Sequence, residues 1–424
     1  MSNFRFLHAA DIHLDSPLTG LGRFEEASVA RIQAATREAL EGLVQYALDE
    51  DVDFVVIAGD LYDGDWKDHR TGLFFVQQMG RLNEESVPVF MVKGNHDAAS
   101  QISKSLQLPE NVRVFNHRKP QSFSHDELDV VLHGQSFPKQ HLHENLVPAY
   151  PAPTAAHFNI GVLHTALEGG TVHADYAPCS LEELRNKGYD YWALGHVHQH
   201  RIFETEPHIV YPGNLQGRSI RETGPKGACL VTVEGGVVSA VDHVPLDVVR
   251  WTLLQIDVSE AESFADVTEL VSESIHSAVE EQADDRLLAC RIELRGETNL
   301  DGLLRAQLGD LRAEATGATF HRGEPEAWIE KIRIATTHPA ADDELAERSD
   351  ALSQVLESIP DALDDEAFTE ELTKTLQAFR AALPHEVLES TDDELLCAVV
   401  EEDYATLLDG VRAEIAAALL RDGG

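Results

Sequence analysis

Five times within its first 200 residues, the chain ends a short apolar run with a cluster of histidine, aspartate or asparagine side chains. The five clusters are Asp11-Ile12-His13, Gly59-Asp60-Leu61-Tyr62-Asp63, Gly94-Asn95-His96-Asp97, His164-Thr165 and Gly195-His196-Val197-His198. Short apolar runs rich in β-branched and aromatic residues are typical of buried strands. Ligands of open α/β sheets bind beyond the carboxyl ends of the strands. The pattern therefore predicts a polar site at one edge of an α/β fold.

Predicted strands and helices alternate through the first 245 residues. The strands are expected at Phe4 to Ala10, Phe54 to Ala58, Val89 to Val92, Val130 to His133, Ile160 to His164, Tyr191 to Leu194 and Ile209 to Tyr211. Apolar residues at helical spacing predict helices around Ile32 to Ala47 and Leu73 to Leu82. A hairpin turning at Glu234-Gly235-Gly236 follows. This order predicts parallel pairing and an α/β class with one large mixed sheet or two.

Beyond about residue 248 the pattern becomes that of a small α+β domain. Strands are expected at Trp251 to Val258, Arg286 to Leu294 and Trp328 to Ile334, with helices at about Ser263 to Val279 and Leu300 to Ala315. The predicted domains are therefore 1–246, 247–337 and an acidic helical tail at 338–424. Three helices are expected in the tail, beginning near Asp343, Asp365 and Asp393, since acidic residues suit the first turn of a helix.

The composition of the chain argues against a membrane protein, a zinc-thiolate site and unaided binding to a polyanion. The apolar stretches are too short for a membrane span, and no signal-peptide pattern opens the chain, so a cytoplasmic location without membrane contact is expected. The four cysteines show no CxxC spacing, which disfavours a zinc-thiolate site and favours buried thiols in a reducing compartment. The formal net charge of -41 opposes unaided binding to a polyanion.

The residue types in the five clusters indicate which metals they suit. Imidazole, carboxylate and amide oxygen without thiolate suit Mn²⁺, Fe²⁺ or Zn²⁺. The seven candidate ligands exceed what one tetrahedral ion needs, and they suit two ions sharing a bridging carboxylate. The candidates are Asp11, His13, Asp60, Asn95, His164, His196 and His198.

The cluster order D-x-H, G-D-x-x-D, G-N-H-[DE], H and G-H-x-H resembles the calcineurin-like metallophosphoesterase superfamily. Within it, the chain resembles the bacterial SbcD/YhaO-type DNA-repair nuclease subunits. The residues that carry this closer resemblance are His8 to Asp15, Gly59 to Gly64, Gly195 to His198 and Tyr211 to Arg218. The resemblance implies a four-layer α-β-β-α sandwich with a small α+β cap and a C-terminal helical region.

The resemblance also implies roles for the candidate ligands. One ion would be held by Asp11, His13 and His198, and the other by Asn95, His164 and His196. Asp60 would bridge the two ions, for which Mn²⁺ is the first expectation, and a water activated between them would attack the phosphorus.

His96 and Asp63 are expected to act beside the metals. The resemblance implies that His96 protonates the leaving oxygen or stabilises the transition state. Asp63 is placed to hydrogen-bond His96, fix its tautomer and raise its pKa. An ordinary turn aspartate is the alternative for Asp63.

A basic loop from Tyr211 to Lys226 is the candidate substrate-binding segment. It contains Arg218, Arg221 and Lys226, and arginine suits phosphate binding, although a generic surface loop would look the same. The resemblance implies a DNA exonuclease that works with an SMC-like coiled-coil ATPase, and it leaves a homodimer open.

The acidic tail has two interpretations. Residues 338–424 hold 23 acidic against 5 basic residues, which fits a docking arm for a basic partner and equally a solvated acidic surface.

Two other functions of the chain remain open: a phosphomonoesterase or cyclic-nucleotide phosphodiesterase on the same site, and a non-catalytic regulatory subunit.

Overall fold

The computed structural model of the chain describes most of the first 339 residues and a few segments beyond them. The described residues are 3–16, 27–63, 69–99, 106–167, 176–203, 206–321, 324–339, 362, 365–382, 396, 398–399, 403–408 and 411. The chain divides into two compact units, one of Met1–Trp251 with Gln282–Leu288 and one of Thr252–Glu281 with Ala289–Gly424.

Two six-stranded sheets form the framework of the first unit. The strands of the first sheet are β1 Phe4–Ala9, β2 Phe54–Ala58, β3 Val89–Val92, β4 Val112–Val114, β11 Gly227–Glu234 and β12 Val237–Pro245. Those of the second are β5 Gln121–His125, β6 Val130–Gly134, β7 Phe158–His164, β8 Tyr191–Gly195, β9 Arg201–Phe203 and β10 His208–Tyr211. The first sheet has the order β12-β11-β1-β2-β3-β4, and the second has the order β5-β6-β7-β8-β10-β9.

The central strands of both sheets are parallel, as the alternation of strands and helices predicts. In the first sheet β1 pairs with β2, and β2 with β3, in parallel. In the second sheet β6, β7, β8 and β10 pair in parallel in that order. The hairpin β11–β12 adds antiparallel strands beside β1. Parallel strands bring their carboxyl ends to the same edge, which is what the site requires.

The two sheets pack face to face through an apolar core that contains several aromatic rings. Phe6 stacks on Phe54 with ring centroids 4.9 Å apart, and it contacts Tyr191 of the second sheet edge-on at 5.2 Å. Phe4 meets Phe158 across the same interface at 5.4 Å. All five rings are buried. Burying this much apolar surface on both inner faces is the main favourable contribution to stacking the sheets.

Helices cover the outer face of the first sheet. They are α1 Ala27–Asp49 and α2 His69–Glu84. The apolar stripe of α1 includes Leu40, Leu43 and Ala47, which are buried in one cluster with residues of β1 and β2. Residues three and four apart lie on one side of a helix, so this spacing turns the stripe towards the sheet.

The second sheet is covered by shorter segments. These include α4 Leu181–Asn186 and a 3-10 turn at Val147–Ala149, and α3 Asn95–Ala99 lies at the end of β3. A capping box begins α4, because the Ser180 side chain accepts from the Glu183 amide and the Glu183 side chain accepts from the Ser180 amide. The helix–sheet–sheet–helix order is the four-layer α-β-β-α sandwich that the family resemblance implies.

Beyond about residue 248 the described chain has the α+β composition expected from its sequence. Strands β13 Val249–Asp257, β14 Leu287–Glu297 and β17 Ala327–Thr337 form a three-stranded sheet in the order β13-β14-β17. The helices are α5 Phe264–Ala278, α6 Asp301–Ala306, α7 Leu308–Ala318 and α8 Glu366–Ala382, with a π-helical turn at Val279–Ala283. Short strands β15 Phe320–His321 and β16 Glu324–Pro325 form a hairpin.

One predicted helix is divided in the structure. The sequence predicts a single helix from Leu300 to Ala315, whereas α6 ends at Ala306 and α7 begins at Leu308. Gln307 between them has φ -105° and ψ 25°, which is not helical. Leu304 and Leu311 are both buried at helical spacing, so the apolar pattern continues across the break and does not reveal it.

Of the three helices predicted in the tail, the described residues include the one beginning near Asp365, which is α8. The starts predicted near Asp343 and Asp393 lie outside the described residues, and the three-domain division stays a prediction.

Cys179, Cys229 and Cys290 are buried thiols, while Cys397 lies outside the described part of the chain. Among the described helices, none has the length and apolar character needed to cross a membrane.

Candidate metal centre

The predicted site residues come together where strands of both sheets end. Asp11 and Asp60 follow β1 and β2, and Asn95 opens α3 just after β3. His164 is the last residue of β7, and His196 comes directly after β8. Amide-to-carbonyl hydrogen bonds continue between the loops beyond β1 and β2, from Asp11 to Gly59 and from His13 to Asp60, each 3.0 Å long. The strand ends therefore converge as the five clusters predict.

Asp11, His13 and His198 form one group of candidate ligands. Their ligand atoms lie within 4.8 Å of one another. The His13 and His198 Nε2 atoms are 3.3 Å apart, and His198 Nε2 is 3.9 Å from Asp11 Oδ1. Burial and the charge of Arg218 lower the pKa of His13 to about 3, outweighing Asp63. His13 is therefore neutral at pH 7, which is the form that binds a metal.

Asp60, His164 and His196 form a second group with the same spread of ligand atoms. His164 Nε2 lies 3.3 Å from Asp60 Oδ2 and 2.9 Å from the Asn95 side-chain oxygen. His164 Nδ1 is 2.9 Å from the Ala58 carbonyl, which can only accept, so Nδ1 carries a hydrogen and Nε2 faces the other candidate ligands. This outer contact fixes the ring orientation.

The buried carboxylates of this centre need positive charge beside them. Burial alone would lower the pKa of His164, but the charge and hydrogen bond of Asp60 raise it to about 9. Burial would raise the pKa of Asp60, but the charge of His164 and the hydrogen bond from it hold that pKa below its ordinary value. A proton on His164 or a bound cation can supply the balancing charge.

The side chains present fit divalent ions. Two nitrogen ligands about 2.1 Å from one tetrahedral ion lie about 3.4 Å from each other. The 3.3 Å between His13 Nε2 and His198 Nε2 matches that separation. The donors are imidazole, carboxylate and amide oxygen, which suits Mn²⁺, Fe²⁺ and Zn²⁺ alike. The two groups therefore supply candidate ligands for two ions.

Motif glycines allow the close approach of these elements. A Cβ on Gly94 would lie 2.2 Å from Asp60 Oδ1, and a Cβ on Gly195 would lie 2.0 Å from the Ala58 carbonyl oxygen. Both distances are far below van der Waals contact, so any larger residue would displace Asp60 or separate β8 from β2. This explains why glycine precedes the polar residues in the G-N-H and G-H-x-H clusters.

His96 and Asp63 form with His13 a third group of possible ligands, which shares His13 with the first group. His96 Nδ1 is 2.9 Å from Asp63 Oδ1, and the His96 amide donates to Asp60 Oδ1 at 3.0 Å. Burial would lower the pKa of His96, but the hydrogen bond to Asp63 and the charges of Asp60 and Asp63 raise it to about 9. About a third of the His96 side chain is exposed. It can therefore hold a proton at neutral pH where a substrate can reach it.

The three basic residues predicted to bind substrate lie in different surroundings. Arg218 is mostly buried, with Nη1 3.5 Å from Asp63 Oδ2 and Nη2 3.3 Å from Glu222 Oε1. Lys226 is buried and donates from Nζ to the His198 carbonyl at 3.0 Å. Arg221 is exposed, and its amide donates to the Ser219 side chain. Their roles in substrate binding stay predictions.

Glu222 is a neighbour of the metal groups that sequence reasoning missed. Its Oε1 lies 2.6 Å from His198 Nδ1. Its Oε2 accepts from the Asn214 side chain at 2.9 Å and from the Arg218 amide at 2.7 Å. The loop has no helical or strand periodicity that would indicate a contact between this glutamate and the metal groups. Its position four residues after Arg218 was the one feature of the sequence that pointed to an ion pair there.

Asp97, left outside the predicted core site, organises two of the loops. Its carboxylate accepts from the amides of Leu61, Tyr62 and Gly94. Burial and the nearby charge of Asp60 raise its pKa to about 6, despite these three bonds. The side chain therefore ties the loop after β2 to the loop after β3.

Comparisons with known proteins agree with this geometry. A family model described as calcineurin-like phosphoesterase matches residues 4–200, and one described as the middle domain of metallophosphoesterase YhaO matches residues 251–337. The uncharacterized metallophosphoesterase YhaO of Bacillus subtilis (strain 168) is 33% identical over 338 residues, covering 79% of this chain and 82% of that protein.

Solved structures with weaker similarity were also found. A dimetal phosphatase from Danio rerio and the protein TT1561 of Thermus thermophilus each show 13% identity and a TM-score of 0.34. Each match covers 57% of this chain, with 98% of the first protein and 99% of the second.

Proposed function

The chain belongs to the calcineurin-like metallophosphoesterases as a homologue of YhaO, and on this basis we propose that it is a two-metal phosphodiesterase that cleaves DNA as an exonuclease. The observation that carries the proposal is the convergence of two three-residue metal-ligand groups beside the His96–Asp63 pair. The supporting chemistry is that of phosphoryl hydrolysis, which needs charge neutralisation, an activated water and a proton for the leaving group.

Each candidate ligand has a proposed place. Asp11, His13 and His198 would hold one ion, and Asn95, His164 and His196 would hold the other, with Asp60 as a candidate ligand of both. Two divalent ions bound there, proposed as Mn²⁺, would neutralise the phosphate and activate the attacking water.

The proposed role of His96 is to donate a proton to the leaving oxygen. Hydrolysis of a DNA diester releases an alkoxide, a poor leaving group that gains greatly from a proton donor. Asp63 holds His96 Nδ1 at 2.9 Å, which turns the other ring nitrogen outwards from Asp63 and keeps the ring protonated at neutral pH. This pairing supports the role without depending on the identity of the metals.

DNA as the substrate is supported by the resemblance to the DNA-repair nucleases and by the arginine beside the site. Arg218 lies between Asp63 and Glu222, so its charge is close to where a phosphate would sit. The net charge of -41 opposes tight DNA binding by this chain alone. We therefore include in the proposal an SMC-like ATPase partner that grips the DNA, with the acidic tail as its docking region.

The same net charge favours a second candidate, a phosphomonoesterase or cyclic-nucleotide phosphodiesterase. A small phosphate ester has far fewer charges than a duplex, so an acidic surface opposes its binding much less. The metal groups and His96 would serve either substrate.

One assay separates the two candidates. Purified protein with Mn²⁺ is offered linear duplex DNA, single-stranded DNA, bis-p-nitrophenyl phosphate and p-nitrophenyl phosphate, with and without the ATPase partner. We expect cleavage of DNA and of the diester, and loss of both in Asp60→Ala. The matched control Asp49→Ala changes an exposed carboxylate at the end of α1 and should keep full activity. Hydrolysis of the monoester alone, even with the partner present, would overturn the nuclease proposal.

A further inference from the structure

We propose that Glu222 is a positioning residue of the metal centre, which holds the His198 imidazole so that Nε2 faces Asp11 and His13. This inference rests on the proposed function, because it requires that His198 binds a metal. Glu222 is not one of the seven predicted ligands. Its side chain contacts the predicted ligand His198.

The contact between Glu222 and His198 determines which ring nitrogen carries the hydrogen. The 2.6 Å from His198 Nδ1 to Glu222 Oε1 is a charge-assisted hydrogen bond in which Nδ1 donates, because a carboxylate only accepts. Arg218 Nη2, which can only donate, lies farther from Nδ1 at 3.4 Å, so the shorter contact to Glu222 decides and the lone pair is on Nε2, 3.3 Å from His13 Nε2. Carboxylate partners of this kind fix the tautomer of a metal-binding histidine and raise its basicity.

Glu222 is itself held from several sides. Oε2 accepts from the Asn214 side chain at 2.9 Å and from the Arg218 backbone amide at 2.7 Å. Asn214 is fully buried, and its side chain also donates to the Gln216 carbonyl at 2.7 Å. Because both carboxylate oxygens are engaged, the carboxylate cannot rotate freely, and neither can the ring that it holds.

The Arg218 guanidinium connects Glu222 with the proton-donating pair. Nη2 lies 3.3 Å from Glu222 Oε1, and Nη1 lies 3.5 Å from Asp63 Oδ2. One positive charge is therefore shared between the two carboxylates that hold His198 and His96, and it offsets part of their charge. Without such a cation, two partly buried carboxylates so close to Asp11 and Asp60 would repel one another.

His164 and His198, which belong to different metal groups, are hydrogen-bonded at Nδ1 to different kinds of acceptor. His164 is oriented by the uncharged Ala58 carbonyl, whereas His198 is oriented by a carboxylate. Neutralising Glu222 should therefore weaken the ion held by Asp11, His13 and His198, and leave the ion held by His164 nearly unchanged.

The test measures metal binding by the full chain, without a substrate. After removal of metals, Mn²⁺ is titrated by calorimetry into the wild type, the isosteric Glu222→Gln and the control Glu234→Gln, which changes an exposed glutamate at a hairpin turn. We expect two bound ions in the wild type and the control. In Glu222→Gln one ion should bind about 10–100-fold more weakly. Two ions bound as tightly as in the wild type would overturn the proposal for Glu222.

A double-mutant comparison distinguishes positioning from a general structural effect. If Glu222 acts through His198, Glu222→Gln should weaken Mn²⁺ binding in the wild-type background and add no further loss in His198→Ala. Equal losses in both backgrounds would show that Glu222 acts independently of His198 and would overturn the proposal. If the wild type does not bind two ions, both the proposed function and this inference fail. If the wild type binds two ions and Glu222→Gln binds them equally tightly, only this inference fails.

Discussion

At the scale of single residues, the candidate ligands lie on an unusual backbone. Asp11, His13 and Asp60 have φ values of 49°, 46° and 51°, in the left-handed region that residues with a Cβ rarely adopt. Such conformations cost about 1–3 kcal/mol each and persist where the surroundings enforce them. Here the hydrogen bonds between the loops after β1 and β2 do so, and they aim the side chains into one centre.

The pairing of His96 with Asp63 leads to a prediction about pH. The pKa of His96 is raised to about 9, so the ring holds its proton below that pH and loses it above. Asp63→Asn removes the acceptor charge that raises this pKa. We therefore expect the alkaline limb of the kcat profile for DNA cleavage to move to lower pH in Asp63→Asn, as measured by initial rates across a pH series.

Two variants serve as controls for that shift. His96→Ala should abolish the limb and lower kcat by about 10²–10⁴-fold. His117→Ala, which removes an exposed histidine, should leave the profile unchanged. An alkaline limb at the same pH in Asp63→Asn and the wild type would contradict the assignment of that limb to His96.

The sequence predicts the positions of the site residues better than it predicts their partners. Asp60 and His164 stand at the ends of apolar strands, and that pattern alone indicates a shared edge. Glu222 lies in a loop, and its contact with His198 depends on how the chain folds back over 24 residues. Contacts of this kind leave no periodic signal in a sequence.

At the scale of secondary structure, buried strands were the easiest elements to predict. The bounds of β2 and β3 agree with the prediction at both ends, because all their residues are apolar and buried. β5 at Gln121–His125 was missed, since it is a polar strand with alternating exposure at the edge of its sheet. Edge strands need fewer apolar residues and are therefore harder to recognise.

The aromatic interface between the two sheets predicts a large loss of stability on truncation. Phe54 is fully buried and stacks on Phe6 at 4.9 Å. Phe54→Ala should lower the free energy of unfolding by about 3–5 kcal/mol, through lost apolar burial and the cavity left behind. Urea unfolding of the purified variants measures this change.

The matched control is Leu73→Ala on α2, because the Leu73 side chain is 62% exposed. It should change the free energy of unfolding by no more than about 0.5 kcal/mol. Similar losses in the two variants would mean that the sheets are not held together mainly by this aromatic core.

At the scale of the whole molecule, the distribution of charge separates the tail from the catalytic unit. Residues 338–424 carry 23 acidic against 5 basic residues, whereas the metal centre lies within the first unit. Enrichment of the whole surface in acidic residues is another explanation for the net charge of -41.

Truncation after Thr337 tests the docking role of the tail. All seven candidate ligands, His96 and Glu222 precede that residue, so hydrolysis of bis-p-nitrophenyl phosphate should be retained. Co-purification with the proposed ATPase partner should be lost, as measured by affinity capture of the two tagged subunits. Undiminished co-purification would refute docking by the tail and leave the solvated acidic surface as its explanation.

The division of the candidate ligands between two sheets has a consequence for the biogenesis of the protein. Asp11, His13, Asp60 and Asn95 follow strands of the first sheet, whereas His164, His196 and His198 lie at strand ends of the second. The segment from β1 to β4 therefore leaves the ribosome with an incomplete set of candidate ligands for either ion. Capture of metal must wait until the chain beyond residue 198 has emerged and the second sheet has docked on the first, so a nascent fragment is inert as a hydrolase.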